Sequence, residues 1–416
     1  MAAPRRPGWL TTPILAVSGL SIGSGLAQFG VTAVIGDVAA AFGEVSDAGD
    51  LTAQIGLPAT TVGLALAVIR LTSLAALPVS SVADRSGRQR VLVTLTVIGL
   101  GLTTFAALAP GFWWYVALVA LARPALSGVN AIAGVVAAEE TRTKDRSAAI
   151  ALITAAYGVG AGVIVLVRAA LGTLSTFRVV TATALIPLLL MPLLVRGTRE
   201  PSIARNRLRE RGMLGAVPRP YVRSVAVLSG LSGLIALTTG PAFSYLFVYG
   251  ERVLGMSPGF LALLVVLAGP AGLVGILLGR AAADRIGRNL AAGVSMAATG
   301  AAAAWAYGGT DTRLAVGYLL AITASSAFAP PTGALGAELV PTRSRATLAG
   351  WITFAGVLGA VIGIAGFGVL ADATGGFDRA ARTIGVVTAL GAIGFLALPE
   401  TRGVELEDLE RPGDGT

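Results

Sequence analysis

The chain of 416 residues is 55% hydrophobic and only 13% charged, whereas soluble domains carry about 25% charged residues, so its composition excludes an ordinary soluble protein. The absence of Cys and His excludes disulfides, thiolate or imidazole catalysis and the usual zinc ligand sets, so we expect no metal and no cofactor. A net charge of +9 would suggest a nucleic-acid partner for a soluble protein, but Lys and Arg in the cytosolic loops of a membrane protein explain it without one.

Twelve apolar runs recur along the chain, and each can cross a bilayer, because about 20 helical residues span roughly 30 Å of hydrocarbon. We predict an all-α membrane protein with twelve transmembrane helices, arranged as two pseudo-symmetric six-helix bundles. The first run is too long for a signal peptide, so we expect it to be retained. The predicted spans, numbered 1 to 12, are 12–36, 57–82, 91–110, 112–137, 147–171, 179–195, 224–249, 258–279, 289–308, 314–334, 347–370 and 383–398.

An Arg-rich polar stretch separates span 6 from span 7. It predicts an N-terminal bundle at 1–195, a cytosolic linker at 196–223, a C-terminal bundle at 224–400 and a cytosolic tail at 401–416. With the N-terminus placed inside, 23 Lys and Arg residues fall in inside segments and six in outside segments. By the positive-inside rule we expect both termini in the cytosol and the protein in the cytoplasmic membrane.

A six-residue string recurs after spans 2 and 8. The sequence ADRSGR at Ala83–Arg88 returns 200 residues later as ADRIGR at Ala283–Arg288. A second echo follows spans 4 and 10, where Glu140 and Glu338 each precede an Arg by a few residues. Duplication of a six-helix unit is the simplest account of both echoes.

The repeated string resembles the cytosolic signature of the major facilitator superfamily, and the tail PETRGVELEDL resembles the segment that follows span 12 in the sugar porters of that family. The resemblance implies a cytosolic gate in which Asp84 docks against the start of span 11 and Asp284 against the start of span 5. The other residues that it assigns to this gate are Arg85, Arg88, Arg285, Arg288, Glu140 and Glu338. The alternative is that these are ordinary solvated loop charges.

Two Arg residues fall in the middle of predicted spans, although none of the 22 acidic residues does. Arg70 lies 14 residues before Asp84, and Arg123 lies 16 residues before Glu139, which puts both about 21–24 Å from the cytosolic charges. An intramembrane Arg costs at least ~2.5 kcal/mol and needs a partner or a wet cavity. An anionic group on a substrate would supply that partner. The alternatives are a structural role for Arg123 and snorkelling of Arg70 to the outer interface.

Polar residues at helical spacing extend this candidate site. Arg123, Ser127 and Asn130 follow i, i+4, i+7 and share one face of span 4. The resemblance implies that spans 1, 4, 7 and 10 line the substrate cavity, and span 1 contributes Ser21 and Gln28 on a polar stripe. Small polar residues in membrane helices also mediate packing, which is the alternative.

These patterns predict a secondary active or facilitative transporter of a small solute. We expect the solute to be an organic anion and transport to proceed by alternating access between the two bundles. We expect it to act as a monomer in the lipid bilayer. Export of lipophilic drug-like compounds is the alternative within transport, and a membrane-embedded enzyme is the alternative of another class. Asp37, at the outer end of span 1, adjoins an acidic loop and is expected to be a solvated charge and not a proton site.

Overall fold

The computed structural model describes residues 10–46, 50–142, 145–198, 217–341 and 344–402, without the side chains at 79–81, 84, 85, 173 and 346. Every regular element in these ranges is helical. Most of the predicted linker and of the predicted tail lies outside them.

The described ranges contain seventeen α-helices. They are α1 (Thr12–Phe42), α2 (Leu51–Ile55), α3 (Ala59–Thr72), α4 (Ala76–Ser86), α5 (Arg88–Ala106), α6 (Phe112–Glu140), α7 (Arg146–Leu171), α8 (Phe177–Ala182), α9 (Leu185–Leu189), α10 (Met191–Gly197), α11 (Val222–Ser244), α12 (Pro258–Ile286), α13 (Arg288–Ala306), α14 (Asp311–Ala327), α15 (Ala329–Glu338), α16 (Arg345–Thr374) and α17 (Phe377–Gly391). A 3-10 turn at Ser73–Ala75 joins α3 to α4, and another at Ala392–Ala397 extends α17.

Most predicted spans coincide with helices that can cross a membrane. Within the described ranges, ten helical stretches are long and apolar enough, and the bent run through α8, α9 and α10 provides an eleventh. The remaining predicted span, 289–308, falls on α13, which is rich in Ala and Gly. The prediction of an all-α membrane protein with twelve helices is therefore confirmed.

The surface of these helices is apolar. Leu108, Leu193 and Leu396 are 73%, 66% and 80% exposed, and they are three among many large apolar side chains that face outward. Exposed apolar side chains in such numbers would favour aggregation in water, but they are the ordinary surface of a protein whose solvent is lipid.

The chain forms two compact units. Unit 1 comprises Met1–Val45, Val68–Glu210 and Pro258–Ala262, and unit 2 comprises Ser46–Ala67, Arg211–Ser257 and Leu263–Thr416. The segment Ser46–Ala67 thus packs within unit 2 although it precedes span 3 in sequence. The predicted bundle boundaries at 195 and 224 stay predictions.

Glycines permit the closest helix contacts in both units. In unit 1, α1 crosses α7 where Gly25 and Gly160 lie against main-chain carbonyl groups of the other helix. In unit 2, α11 crosses α16 where Gly359 and Gly363 do the same. A methyl group at any of these four positions would collide with a carbonyl oxygen, so the contacts require glycine. Because α1 and α7 are spans 1 and 5, and α11 and α16 are spans 7 and 11, the two units repeat one packing.

The repeat also holds in the loops after spans 2 and 8. Gly87 and Gly287 have φ of +95° and +97°, a left-handed conformation that favours glycine. The side chain of Gln89 donates to the Thr198 carbonyl at 3.1 Å, and Asn289 donates to the Leu398 carbonyl at 2.8 Å. The ADR-x-GR strings therefore adopt the same turn in both units, as a duplicated unit predicts.

Asp37 forms a buried ion pair and is not a solvated loop charge, so that expectation was wrong. It lies within α1, where its carboxylate accepts a hydrogen bond from Arg168 of α7 at 2.6 Å. The two side chains are only 16% and 4% exposed. The sequence did not show this contact because it depends on the crossing of α1 and α7, which brings their C-terminal ends together.

Removing one partner of this ion pair should destabilise unit 1. Arg168→Ala leaves a carboxylate buried without its main counter-charge and is expected to lower the free energy of unfolding by about 3–5 kcal/mol. The matched control is Arg382→Ala, which breaks a 3.5 Å pair with Asp378 whose partners are 65% and 41% exposed and should cost less than about 1 kcal/mol. Thermal unfolding of the purified variants measures the difference. Equal unfolding temperatures for the two variants would contradict the structural role of the buried pair.

Candidate functional site

Three of the charges predicted for the cytosolic gate, Arg88, Arg288 and Glu338, form ion pairs inside their own unit. Arg88 pairs with Glu139 in unit 1, and Arg288 pairs with Glu338 in unit 2 at 3.4 Å. The partner in unit 1 is thus the residue before the predicted Glu140. The two pairs stand at equivalent positions of the repeat and join the loop after spans 2 and 8 to the end of spans 4 and 10.

Glu400 strengthens this arrangement in unit 2. Its carboxylate accepts from the backbone N–H groups of Arg288 at 2.9 Å and Asn289 at 3.1 Å, at the start of α13. Partial burial alone would raise the pKa of Glu400, but these donors, with the N–H groups of Arg402 and Thr401, lower it below its ordinary value. An anion at a helix N-terminus also interacts favourably with the helix dipole.

The remaining gate residues are less constrained. Asp284 and Arg285 are exposed at the end of α12, and the main-chain carbonyl of Arg285 accepts from Arg402 at 2.8 Å. The side chains of Asp84 and Arg85 lie outside those that the structure describes. The docking of Asp84 and Asp284 stays a prediction.

Arg123 is the most unusual residue in the membrane interior of unit 1. It lies in α6 directly before Pro124, and its Nε atom is buried without a hydrogen-bond partner among the described residues. Arg70, near the end of α3, is partly buried. Neither guanidinium group forms an ion pair with a carboxylate in the described part of the chain. The two charges are close enough to repel each other.

A hydrogen-bond chain fixes α1 against α6 beside Arg123. Gln28 donates to Ser24 at 2.8 Å, and Ser24 donates to the Leu126 carbonyl at 2.9 Å. Consecutive spans alternate in direction, so α1 and α6 are antiparallel. At 1.5 Å of rise per residue, Gln28 then stands at about the level of Arg123. Gln28 is buried, and its hydrogen bond to Ser24 supports this helix contact. One of the two hydrogens of its side-chain amide is therefore already donated.

Ser21 and Asn130 lie on the same side of this level, each seven residues, or about two turns, from Gln28 and Arg123 respectively. Ser21 is 0% exposed, and its Oγ atom has no hydrogen-bond partner among the described residues. The Oδ1 atom of Asn130 is likewise buried and unpartnered within the described chain, whereas Ser127 is partly exposed. Buried polar atoms without partners are rare because each costs free energy, so they are candidates for contact with a ligand or water.

Tyr157 belongs to the same site and was missed from the sequence. The close contact between Gly25 of α1 and the Tyr157 carbonyl holds this part of α7 at the level of Ser24. The Tyr157 side chain lies near those of Arg70 and Arg123. The only signal in the sequence was a single Tyr in a glycine-rich span, and nothing there specifies which helix it faces.

A second polar contact joins the end of α16 to the start of α3 in unit 2 and was also missed from the sequence. The carboxylate of Asp372, near the end of α16, accepts from the backbone N–H groups of Ala59 at 2.9 Å and Thr60 at 2.8 Å. Tyr245 donates its hydroxyl to the Ala59 carbonyl at 3.1 Å. Gly368 of α16 allows the close approach, because a methyl group there would collide with the same carbonyl. Asp372 thus caps the N-terminus of α3 and secures the part of this helix that belongs to unit 2.

The cap predicts a local effect of substituting Asp372. In Asp372→Asn the amide has one acceptor oxygen where the carboxylate has two, so one backbone N–H group should lose its partner, at a local cost of about 1–3 kcal/mol. Hydrogen exchange at Ala59 and Thr60 should accelerate roughly tenfold or more. Asp378→Asn, which alters an exposed carboxylate of unit 2, is the control and should leave these amides unchanged. Unaltered exchange in Asp372→Asn would show that the carboxylate does not hold α3.

Comparison with known proteins bears on what this arrangement does. The family model of the Major Facilitator Superfamily matches residues 15–364. A curated relative from Cupriavidus pinatubonensis (strain JMP 134 / LMG 1197), named a probable 4-methylmuconolactone transporter, is 26% identical over 377 residues, which cover 86% of each chain.

Solved structures share the fold at low sequence identity. A bacterial homolog of the human lysosomal transporter Spinster, in an inward-facing and unoccupied conformation, is 16% identical, with a TM-score of 0.71 over 95% of this chain and 97% of that one. The inward-open xylose transporter of E. coli is also 16% identical, with a TM-score of 0.71 over 96% and 98% of the two chains. A nucleoside transporter is 12% identical, with a TM-score of 0.74 over 92% and 99%. At these identities the likeness concerns the fold alone.

Proposed function

Because this chain belongs to the major facilitator superfamily and is a transporter of a small solute, not an enzyme, we propose that its substrate is a small organic anion that binds at Arg123. The observation that carries the proposal is the state of Arg123, a cation within a membrane span whose Nε atom is buried without a partner among the described residues. A permanent guanidinium charge in a low-dielectric setting is costly unless an anion compensates it.

Three further observations support a small organic anion as the substrate. Arg70 adds a second positive charge near the first, which increases the attraction for an anion. Ser21 and Asn130 offer unpartnered polar atoms about two turns away, which can recognise polar groups elsewhere on the substrate. The relative from Cupriavidus is named for transport of 4-methylmuconolactone, which agrees with a small organic substrate.

We propose that transport follows the alternating-access scheme, in which the site opens first to one side of the membrane and then to the other. In this scheme Asp84, Asp284 and the paired charges Arg88 and Arg288 form the cytosolic gate. The remaining gate residues are Arg85, Arg285, Glu140 and Glu338. We place the protein in the cytoplasmic membrane as a monomer, with both termini in the cytosol, on the basis of the 23-to-6 division of Lys and Arg.

The proposed orientation can be measured by cysteine labelling, since the chain contains no native Cys. Single Cys residues at the exposed positions Glu44 and Asp311 should react with a membrane-impermeant reagent in intact cells. Cys residues at the exposed positions Arg90 and Arg402 should react only after permeabilisation. The reverse pattern would overturn the orientation, and labelling of all four in intact cells would show that the assay does not distinguish the sides.

The substrate proposal predicts a graded response at Arg123. Arg123→Gln removes the charge and should weaken binding of an organic carboxylate by about a hundredfold or more, because a charge-assisted contact in a desolvated site is lost. Arg123→Lys keeps the charge but not the planar fork of two parallel donors, so it should weaken binding by roughly tenfold. The measurement is calorimetric titration of a carboxylate panel into purified protein, with thermal unfolding as the control for folding.

A neutral analogue provides the matched control for the ligand. The amide of a carboxylate that binds should bind wild type poorly and should be insensitive to Arg123→Gln. If the amide binds as well as the acid, or if folded Arg123→Gln binds the acid as well as wild type, then Arg123 is structural. Export of uncharged lipophilic compounds would then account better for the site.

A further inference from the structure

We infer that Arg70, Arg123 and Tyr157 form one binding site whose charge matches a doubly charged organic anion, such as a dicarboxylate or a phosphate monoester. This inference rests on the proposed function and narrows it, because a site with Arg123 alone would suit a monocarboxylate equally well. It also assigns a role to Tyr157, which the sequence motifs did not indicate.

The three side chains converge because of specific helix contacts in unit 1. The Ser24 hydroxyl bonds to the Leu126 carbonyl, which fixes α1 against α6 within a turn of Arg123. Gly25, the next residue of α1, lies against the Tyr157 carbonyl and so fixes α7 at the same level. The 3-10 turn Ser73–Ala75, directly after Arg70, packs against α6. The contacts of α1 thus hold Arg123 and Tyr157 at about one level, and the contact of the 3-10 turn brings the end of α3 beside α6.

The charge at this level is uncompensated among the described residues. The nearest carboxylate along α1 is Asp37, nine residues beyond Gln28 and thus about 14 Å away along the helix, and it is bound to Arg168. The nearest along α6 is Glu139, 16 residues beyond Arg123 and about 24 Å away, and it is bound to Arg88. Neither can neutralise the two guanidinium groups.

Two positive charges that repel each other favour a ligand that compensates both. A monoanion would leave one guanidinium group uncompensated within the membrane span, whereas a dianion would neutralise the pair. Each Arg can hold a carboxylate or phosphate group through parallel N–H donors. The Tyr157 hydroxyl makes no hydrogen bond with the described residues, so it can donate a further hydrogen bond to the anion without adding charge.

The test compares pairs of chemically related ligands that differ in charge. Calorimetric titrations use three sets of probes, namely butanoate against butanedioate, benzoate against benzene-1,3-dicarboxylate, and an alkyl phosphate against its monomethyl ester. Wild type should bind the doubly charged member of at least one set about tenfold or more tightly. The set in which the doubly charged member binds more tightly shows whether the site prefers a dicarboxylate or a phosphate monoester.

Three variants separate the roles within the site. Arg70→Gln should remove the preference for the doubly charged ligand while a monoanion still binds. Arg123→Gln should bind neither the doubly charged ligand nor the monoanion. Tyr157→Phe, which removes only a hydroxyl, should weaken binding of the doubly charged ligand by about tenfold. Arg379→Gln, which removes an exposed Arg of unit 2, is the control and should match wild type. If Arg70→Gln does not fold, Arg70→Lys replaces it and should keep the preference at reduced affinity.

The outcomes distinguish this inference from the proposed function. If wild type binds the mono- and dianions of every set equally, or if Arg70→Gln weakens both by the same factor, the dianion site is wrong although the anion proposal stands. If no anion binds wild type, or if Arg123→Gln binds anions normally, the proposed function itself fails and the inference fails with it.

Discussion

A charge inside the hydrocarbon layer must have a counter-charge, and this constraint explains the polar interior of unit 1. Where two helices bring a carboxylate and a guanidinium group together, as at Asp37 and Arg168, the charges satisfy each other and the pair is structural. Where helices bring guanidinium groups together without a carboxylate, as at Arg70 and Arg123, the protein cannot satisfy them with its described residues. The same physical rule thus separates a stabilising contact from a candidate binding site.

Helix packing decides which polar groups meet. In a membrane, helices gain little from burying apolar side chains against each other, so close approach at small residues carries much of their association. The Gly25 and Gly160 crossing of α1 with α7, and its counterpart at Gly359 and Gly363, are contacts of this kind. Because they fix the depth of each helix against its neighbour, they also fix the depth of Tyr157. The same glycine contact therefore occurs in both units, and in unit 1 it also positions the candidate polar site.

The ends of the helices are held by hydrogen bonds to backbone groups and not by ion pairs alone. Glu400 caps the start of α13, and Asp372 caps the start of α3. Backbone N–H groups at a helix start have no partner within the helix, so a carboxylate that reaches them compensates an otherwise unsatisfied group. Both carboxylates come from a distant part of the sequence, so each cap also ties that distant segment to its unit.

The sequence by itself determined the membrane setting, the twelve spans, the duplicated unit and the two intramembrane Arg residues, because hydrophobic length, repeated strings and isolated charges are local properties of the chain. It did not determine that Asp37 is paired, that Glu139 and not Glu140 joins Arg88, or that Tyr157 stands beside Arg123. Those facts depend on which helices touch and at what depth. Glycine contacts between helices far apart in sequence determine which helices touch and at what depth. No local sequence pattern encodes which helices pair, so only the tertiary structure could decide these contacts.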